Sequence, residues 1–240
     1  ILSGLVGSEM CIRDSINIVR KKPLAEPRFV VQQSIGSWNN YQTMVDATGP
    51  LALDGRVRGR AVLSYQDTDQ FVDIKHTRAP QFYGVVEADL TPDTLLTVGM
   101  SRSKIRTRGD GGGDVPRYSD GSDIGLPRHT SFTQPWATGR KDNSELFGAL
   151  EHRFSARWKG KLNLTRSKSS YDGSTVFGYG ALDPATGLGV NWNGGGHYLY
   201  ENRQTVLDAS LAGSFDLGGR THEILLLSLI HISEPTRPER

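Results

Sequence analysis

Two polar, glycine-rich stretches hold the side chains best suited to chemistry. The first, "DGGGDVPRYSDGSDIGLPRHTSFTQPWATGRKD" at 110–142, carries Tyr118, Arg128 and Trp136. The second, "FGYGALDPATGLGVNWNGGGHYLY" at 177–200, carries Phe177, Tyr179, Trp192, Tyr198 and Tyr200. Aromatic faces with a few donors and charges around a concave site recognise a bound organic molecule by stacking and hydrogen bonding. Bond breaking asks for something else, and the chain has no G-x-S-x-G, Walker A or dinucleotide fingerprint. It is not expected to be an enzyme.

Metal chemistry has little to stand on. The six histidines are scattered, and the single cysteine, Cys11, leaves neither a disulfide framework nor a cysteine zinc site. The acidic runs "GDGGGD" (109–114) and "SDGSD" (119–123) lack the ligand spacing of an EF-hand, so a calcium loop and a plain external loop both fit them. Arg102, Lys104, Arg106 and Arg108 alternate, which puts them on one face of a strand. They could attract an anionic ligand, pair with lipopolysaccharide phosphates or meet neighbouring acids. With a net charge of +2 and its basic residues spread among acids, the chain offers no nucleic-acid surface.

The elements that must position these groups read as strands. The 28 glycines, with many Asn, Asp and Ser, punctuate the chain as turns do. About nine alternating segments emerge: 29–38, 41–51, 56–69, 82–90, 95–106, 145–154, 159–168, 206–215 and one beginning at Arg220. In "GRVRGRAVLSYQ", Val57, Ala61, Leu63 and Tyr65 share one face, and Arg58 and Arg60 the other. No stretch reaches the ~20 apolar residues of a membrane-spanning helix, but the spans of a membrane β-barrel, about 10 residues each, alternate and escape hydropathy.

Connections decide between architectures. "LDG", "TPDT", "SARW" and "LGG" are tight, and the long stretches alternate with them along the chain, as short periplasmic turns alternate with long external loops. The fold class is therefore all-β, an antiparallel up-and-down meander forming part of a transmembrane barrel. Lipid would take the Leu63 face, while a polar lumen hydrates Arg58 and Arg60, whose burial in a sandwich core would be costly. The competing reading is a soluble carbohydrate-binding or adhesive β-sandwich, which would bury that apolar stripe.

The ends differ in texture. "ILSGLVGSEMCIRDS" (1–15) and "LSLIHISEPTRPER" (227–240) resemble translated sequencing-adapter DNA and are set aside as non-native flanks.

"INIVRKKP", Ile16 to Pro23, resembles the closing signature of the plug domain in TonB-dependent outer-membrane receptors. "GSWNNYQTMVDATGPLALDGRVRGRAVLSYQDTDQFVD", "ADLTPDTLLTVGM" and "LFGALEHRFSARWK" are similar to the ferric-siderophore branch of that family. The resemblance implies the end of a plug over 16–23 and the first strands, over 24–226, of a barrel of about 22 strands. It also implies import of a ferric siderophore of hydroxamate or pyoverdine type across the Gram-negative outer membrane. TonB would act through a plug and TonB box that this chain lacks. Outer-membrane lipid and lipopolysaccharide would surround the wall. No cofactor is expected, because the iron arrives already chelated; cobalamin or an oligosaccharide is the alternative cargo. A plain diffusion porin would leave "INIVRKKP" without purpose. Receptors of this branch place chelate-facing aromatics near the end of the third external loop, which makes Trp136 the leading contact, with Tyr118, Arg128, Trp192 and Tyr179 behind it. The interfacial aromatic girdle is the other place for Trp136 and Tyr200.

Overall fold

The computed structural model describes residues 19–111 and 117–235, except the side chains of 192–194 and 234–235. Nine strands lie side by side in chain order in one antiparallel sheet. They are β1 (Arg28–Gly36), β2 (Asn40–Ala52), β3 (Val57–Asp69), β4 (His76–Thr91), β5 (Thr94–Arg108), β6 (Thr138–Arg153), β7 (Trp158–Tyr179), β8 (Asn191–Leu217) and β9 (Arg220–Pro235). Each expected strand is present. Connections 53–56, 92–93, 154–157 and 218–219 share one end of the sheet, and 37–39, 70–75, 109–137 and 180–190 share the other. The β8–β9 turn shows how the tight end is made: Gly218 (φ 62°) and Gly219 (φ 74°) both take the left-handed conformation that a two-residue hairpin requires.

The strands are longer than alternation alone indicates. β7 runs through Phe177 to Tyr179 and β8 starts at Asn191, so much of the second aromatic stretch is ladder. Pairing extends from Tyr171↔Tyr200 up to Phe177↔Gly194. Backbone donors and acceptors of the two arms satisfy one another there, as exposed strands do when a partner lies within reach. Gly195 permits the approach, since a Cβ on it would press on the Thr175 carbonyl oxygen. At the β1–β2 hairpin the turn falls on 37–39 rather than on the Asn39–Asn40 pair, with Trp38 at φ 55° and its ring edge-on to Phe71.

Alternation divides the sheet into two faces. The outer face carries Leu63, Val98 and Leu164, each about half exposed (55%, 47% and 50%), and no second layer among the described residues covers them. A β-sandwich would have buried this stripe, so that alternative falls. The inner face carries Asp46, Arg58, Arg60, Glu87 and Glu145 in register across β2 to β6. Among the described residues β1 pairs with β2 alone and β9 with β8 alone, which leaves the sheet open. β9 departs from the rule: Leu225, Leu227 and Leu229 take the inner parity and Leu226, Ile230 and Ile232 the outer, so both its faces are apolar.

Candidate functional site on the inner wall

The inner wall holds a length of chain against itself. Arg20 reaches Glu145 at 2.9 Å, and its guanidinium lies 4.3 Å from the centroid of Phe147. Phe147 stacks on Tyr83, with ring centroids 6.2 Å apart, and finds room because the facing residue is Gly99. The Tyr83 hydroxyl donates to the Lys21 carbonyl at 2.7 Å. Lys21 Nζ reaches Asp46 at 2.8 Å, and Arg60 grips both oxygens of Asp46, at 2.8 and 2.6 Å, while donating to the Lys22 carbonyl. The backbone N–H of Leu24 donates to Thr48 Oγ1 at 2.9 Å. Asp46 and Arg60 are mostly buried, so their charges need each other, and bidentate geometry makes the pair strong. Residues 19–24 are thereby laid along β2, β3, β4 and β6. The rest of "INIVRKKP", Ile16 to Ile18, lies outside the described residues, as do 1–15.

Higher on the wall is a polar recess lined by Ser64, Gln81, Ser101, Ser103, Asn143 and Ser169. Asn143 bridges it, donating to Ser103 Oγ at 3.4 Å and accepting from Ser169 Oγ at 2.7 Å. Short hydroxyl and amide groups offer donors and acceptors without filling the space, which suits a wet passage.

At the long-loop end the wall becomes aromatic. Tyr171 of β7 stacks on Tyr200 of β8, its cross-strand partner, with centroids 5.4 Å apart. Lys141 Nζ stands 5.9 Å from the Tyr171 ring, and the Tyr171 hydroxyl donates to Asp110 at 2.6 Å. Asp110 is anchored in turn: its N–H donates to the Ala137 carbonyl, and its own carbonyl accepts from Thr133 Oγ1, a fully buried side chain. The first long loop is thus pinned to the sheet at both its ends.

Its middle spreads to opposite neighbours. Tyr118 forms a bridge with Leu182 of the second loop, backed by Ser119 N–H to Leu182 O and Leu182 N–H to Arg117 O. Arg128 sits beside His129, whose carbonyl accepts from the Asp73 N–H and whose ring meets the Asp73 carboxylate at 2.8 Å, against the 70–75 connection. Trp136 is 60% exposed in the turn that re-enters β6. Tyr179 ends β7, over half exposed; Trp192 lies on β8 with its side chain outside the described residues. Tyr200 and Tyr198 share the inner parity with Tyr171. Tyr171, Lys141 and Asp110 escaped the sequence reading. Their signal is one of register, since Tyr171 meets Tyr200 only once β7 and β8 are aligned.

The acidic runs are spent locally. Asp110 holds Tyr171, Asp120 accepts from the N–H and hydroxyl of Ser122, and Asp123 accepts from the Gly125 N–H. These bonds, the Ser122 hydroxyl first, hold the Asp120 carboxyl below the usual carboxylate range. Asp183 is lowered likewise, mainly by the Thr186 N–H, then by the Thr186 hydroxyl and the Ala185 N–H. Among the described residues no group of three or more His, Cys, Asp or Glu could hold a metal ion. Asp114 of "GDGGGD" lies outside them. The row Arg102, Lys104, Arg106 and Arg108 takes the parity of Leu96, Val98 and Met100, on the outer face and away from the lumen.

No protein-family model matches the chain. In sequence it is 33% identical over 229 residues to the ferripyoverdine receptor of Pseudomonas aeruginosa, covering 93% of this chain and 28% of the relative. The ferric-pyoverdine BN7/BN8 receptor of Pseudomonas putida is also 33% identical, over 93% of this chain and 27% of its own length. In structure, the Pseudomonas aeruginosa outer-membrane ferripyoverdine receptor bound to ferripyoverdine superposes with a TM-score of 0.81 at 32% identity, over 89% of this chain and 28% of that one. The chain spans little more than a quarter of the length of these relatives. Its nine-stranded meander, polar within and apolar without, is homologous to a stretch of barrel wall in the TonB-dependent siderophore receptors of the outer membrane.

Proposed function

We propose that this chain is part of the wall of an outer-membrane receptor that imports a ferric siderophore of the pyoverdine class. The observation that carries the reading is the aromatic and cationic patch of Tyr171, Tyr200 and Lys141 on the inner face, in a chain related over nine-tenths of its length to receptors named for ferripyoverdine. Aromatic faces take the organic scaffold of such a chelate, and Lys141 answers anionic groups on it. Tyr118, Arg128, Trp136, Tyr179 and Trp192 belong to the loops and strand ends around that patch, where they would make further contacts. The siderophore completes the coordination of its own iron, so the protein contributes no metal ligand, resident cofactor or catalytic group.

In this reading residues 16–23 are the end of a plug, and the Arg20, Lys21, Asp46 and Arg60 cluster ties that end to the barrel. TonB, acting through the plug ahead of it, supplies the work of release. Lipopolysaccharide and phospholipid surround the outer face. The inner residues Leu227 and Leu229 of β9 support reading 227–240 as foreign to the wall, because a lumen-facing strand gains nothing from them.

The test is binding and uptake by the full-length receptor. Ferripyoverdine should quench its tryptophan fluorescence, and cells relying on it should take up radiolabelled iron. Tyr200→Ala should weaken binding about tenfold, the scale of one lost stacking partner. Quenching and affinity unchanged by Trp136→Ala would remove Trp136 from the site. Absence of uptake of any ferric siderophore would end the proposal.

A further inference from the structure

The two tyrosines of the long-loop patch are held unequally. Tyr200 is 55% exposed, and among the described residues its hydroxyl has no hydrogen-bond partner, so the stack on Tyr171 is what fixes its ring. Tyr171 is buried beneath it and is held at both ends, by the β7 backbone and by its hydroxyl, which donates to Asp110 Oδ2 at 2.6 Å. A charge-assisted O–H···O bond of that kind is about twice as strong as a neutral one.

The meeting place of hydroxyl and carboxylate is cleared for them. Gly139 and Gly173 face one another across β6 and β7 on the inner face. A Cβ on Gly139 would run into the Asp110 carboxylate, and one on Gly173 into the Tyr171 hydroxyl. Asp110 Oδ1 accepts from the Gly111 N–H at 3.1 Å, and no cation of the described residues lies within ion-pair distance of the carboxylate. Its bond to Tyr171 is therefore not the by-product of a salt bridge.

The same residue knots the first long loop. Gly109 N–H and Asp110 N–H both donate to the Ala137 carbonyl, at 2.7 and 3.0 Å, Thr133 Oγ1 donates to the Asp110 carbonyl at 3.0 Å, and Gly111 bridges Val176 of β7. The departing and returning stems of the loop thus meet at the residue that holds Tyr171. Immobilising a free side chain on binding weakens a ligand by about two- to tenfold, and a ring that is already held avoids that loss.

We infer that Asp110 is a positioning residue of the siderophore site: through the Tyr171 hydroxyl it holds the stack that presents Tyr200 to the ligand, and it ties the first long loop to that stack. The inference rests on the reading given under Proposed function and adds to it a residue that acts without touching the ligand. A ligand bound on Tyr200 tightens the knot, and the knot tightens the ligand by the same factor, because coupling between two sites is reciprocal.

The experiment measures ferripyoverdine affinity and amide exchange in the full-length receptor. Tyr171→Phe keeps the ring and removes the hydroxyl, whereas Asp110→Ala keeps the hydroxyl and removes its acceptor. Each should weaken ferripyoverdine about fivefold, and the double variant should bind no more weakly than either, because the same bond is lost in all three. Asp110→Asn keeps an acceptor for the hydroxyl and should recover most of the affinity. In the wild type, bound ferripyoverdine should slow exchange at the Gly109 and Asp110 N–H groups; in Tyr171→Phe it should not, although the β6–β7 ladder stays protected in both. If Asp110→Ala assembles poorly, Tyr171→Phe and Asp110→Asn carry both readouts. Losses that multiply in the double variant, affinities equal to the wild type, or slowed exchange that survives Tyr171→Phe would each overturn the inference. Wild-type binding matched by every variant leaves the Proposed function standing without the positioning role. A wild type that binds no ferripyoverdine, in cells that take up no ferric siderophore, overturns the Proposed function, and the positioning role falls with it.

Discussion

On the inner face Arg60 grips both oxygens of Asp46 and Arg58 reaches Glu87 and Asp89, at 2.6 to 3.3 Å. On the outer face of the same sheet Arg106 and Arg140 confront one another across β5 and β6. Both faces thus carry guanidinium groups, and what differs is the origin of the counter-ion. Inner cations are neutralised by carboxylates on the neighbouring strands, and Asp46 and Glu145 also take up Lys21 and Arg20 from the segment that lies on the wall. Charge on the inside is therefore used to assemble the protein; on the outside Arg78 pairs with Asp67 and Lys168 with Glu201, but no carboxylate of the described residues answers Arg106 and Arg140. Between the outer cations and the tight turns the face has no charge to offer, only the Leu63, Val98 and Leu164 stripe.

The sharpest way to break this comparison is to remove the surroundings. The isolated chain has an open sheet with free edges at β1 and β9 and an apolar face uncovered, so expressed alone in water it should aggregate. Light scattering checks this, and a monodisperse folded monomer would mean that the outer face needs no lipid. Next comes a charge placed where only lipid can answer it. In the full-length receptor Leu63→Arg, on the exposed apolar stripe, should cost about 2 to 4 kcal/mol of folding stability in bilayers, measured by denaturant titration. The same change at Ser101, on the inner parity beside the polar recess, should cost far less.

A smaller effect probes the inner network. Asp46→Asn removes the shared partner of Arg60 and Lys21 and should destabilise the receptor by about 2 kcal/mol, the scale of a hydrogen-bonded charge pair in a partly wet site. Amide exchange over 19–24 should quicken at the same time, because that segment hangs on Asp46 through Lys21 and on Arg60 through the Lys22 carbonyl. Unchanged exchange there would assign the cluster to barrel stability alone.

The same contrast explains what could be read from residue order. Strand count, the two faces and the crowding of long loops at one end follow from period-two alternation and turn residues, which are local. The outward turn of Leu63 and the inward turn of Arg58 needed only parity. Strand length was less legible, because "FGYG" and "NWNGGGHYLY" carry the composition of a loop yet pair when their arms lie side by side. The site suffered most. Tyr171 is one tyrosine in "SSYDGS" until register sets it on Tyr200, and Asp110 is one acid of a glycine-rich run until its carboxylate is seen under the Tyr171 hydroxyl. The outward direction of the Arg102 to Arg108 row was available from parity with Met100, but its significance depends on Arg140, a residue on another strand.

The mildest test concerns the loops, which lie beyond both faces. Asp183 closes the second loop by accepting from the Thr186 N–H, the Thr186 hydroxyl and the Ala185 N–H, and its pKa is lowered by those bonds. A carboxylate held below its ordinary pKa contributes order that is fully present above the unfolded value and is lost as pH falls through the folded one. Amide protection of Ala185 and Thr186 should therefore be constant near neutrality and fall only under acid conditions, below the usual carboxylate range. Asp183→Asn should abolish that pH dependence while leaving the Tyr171–Tyr200 stack in place. Because Leu182 of this loop bridges Tyr118 of the other, loosening at Asp183 should pass to Tyr118 N–H and Ser119 N–H, and not to Asp73 N–H, which is bonded to the far side of the first loop. Equal loosening at all three would show that the two long loops move as one body, and the division of the first loop between two neighbours would have to be given up.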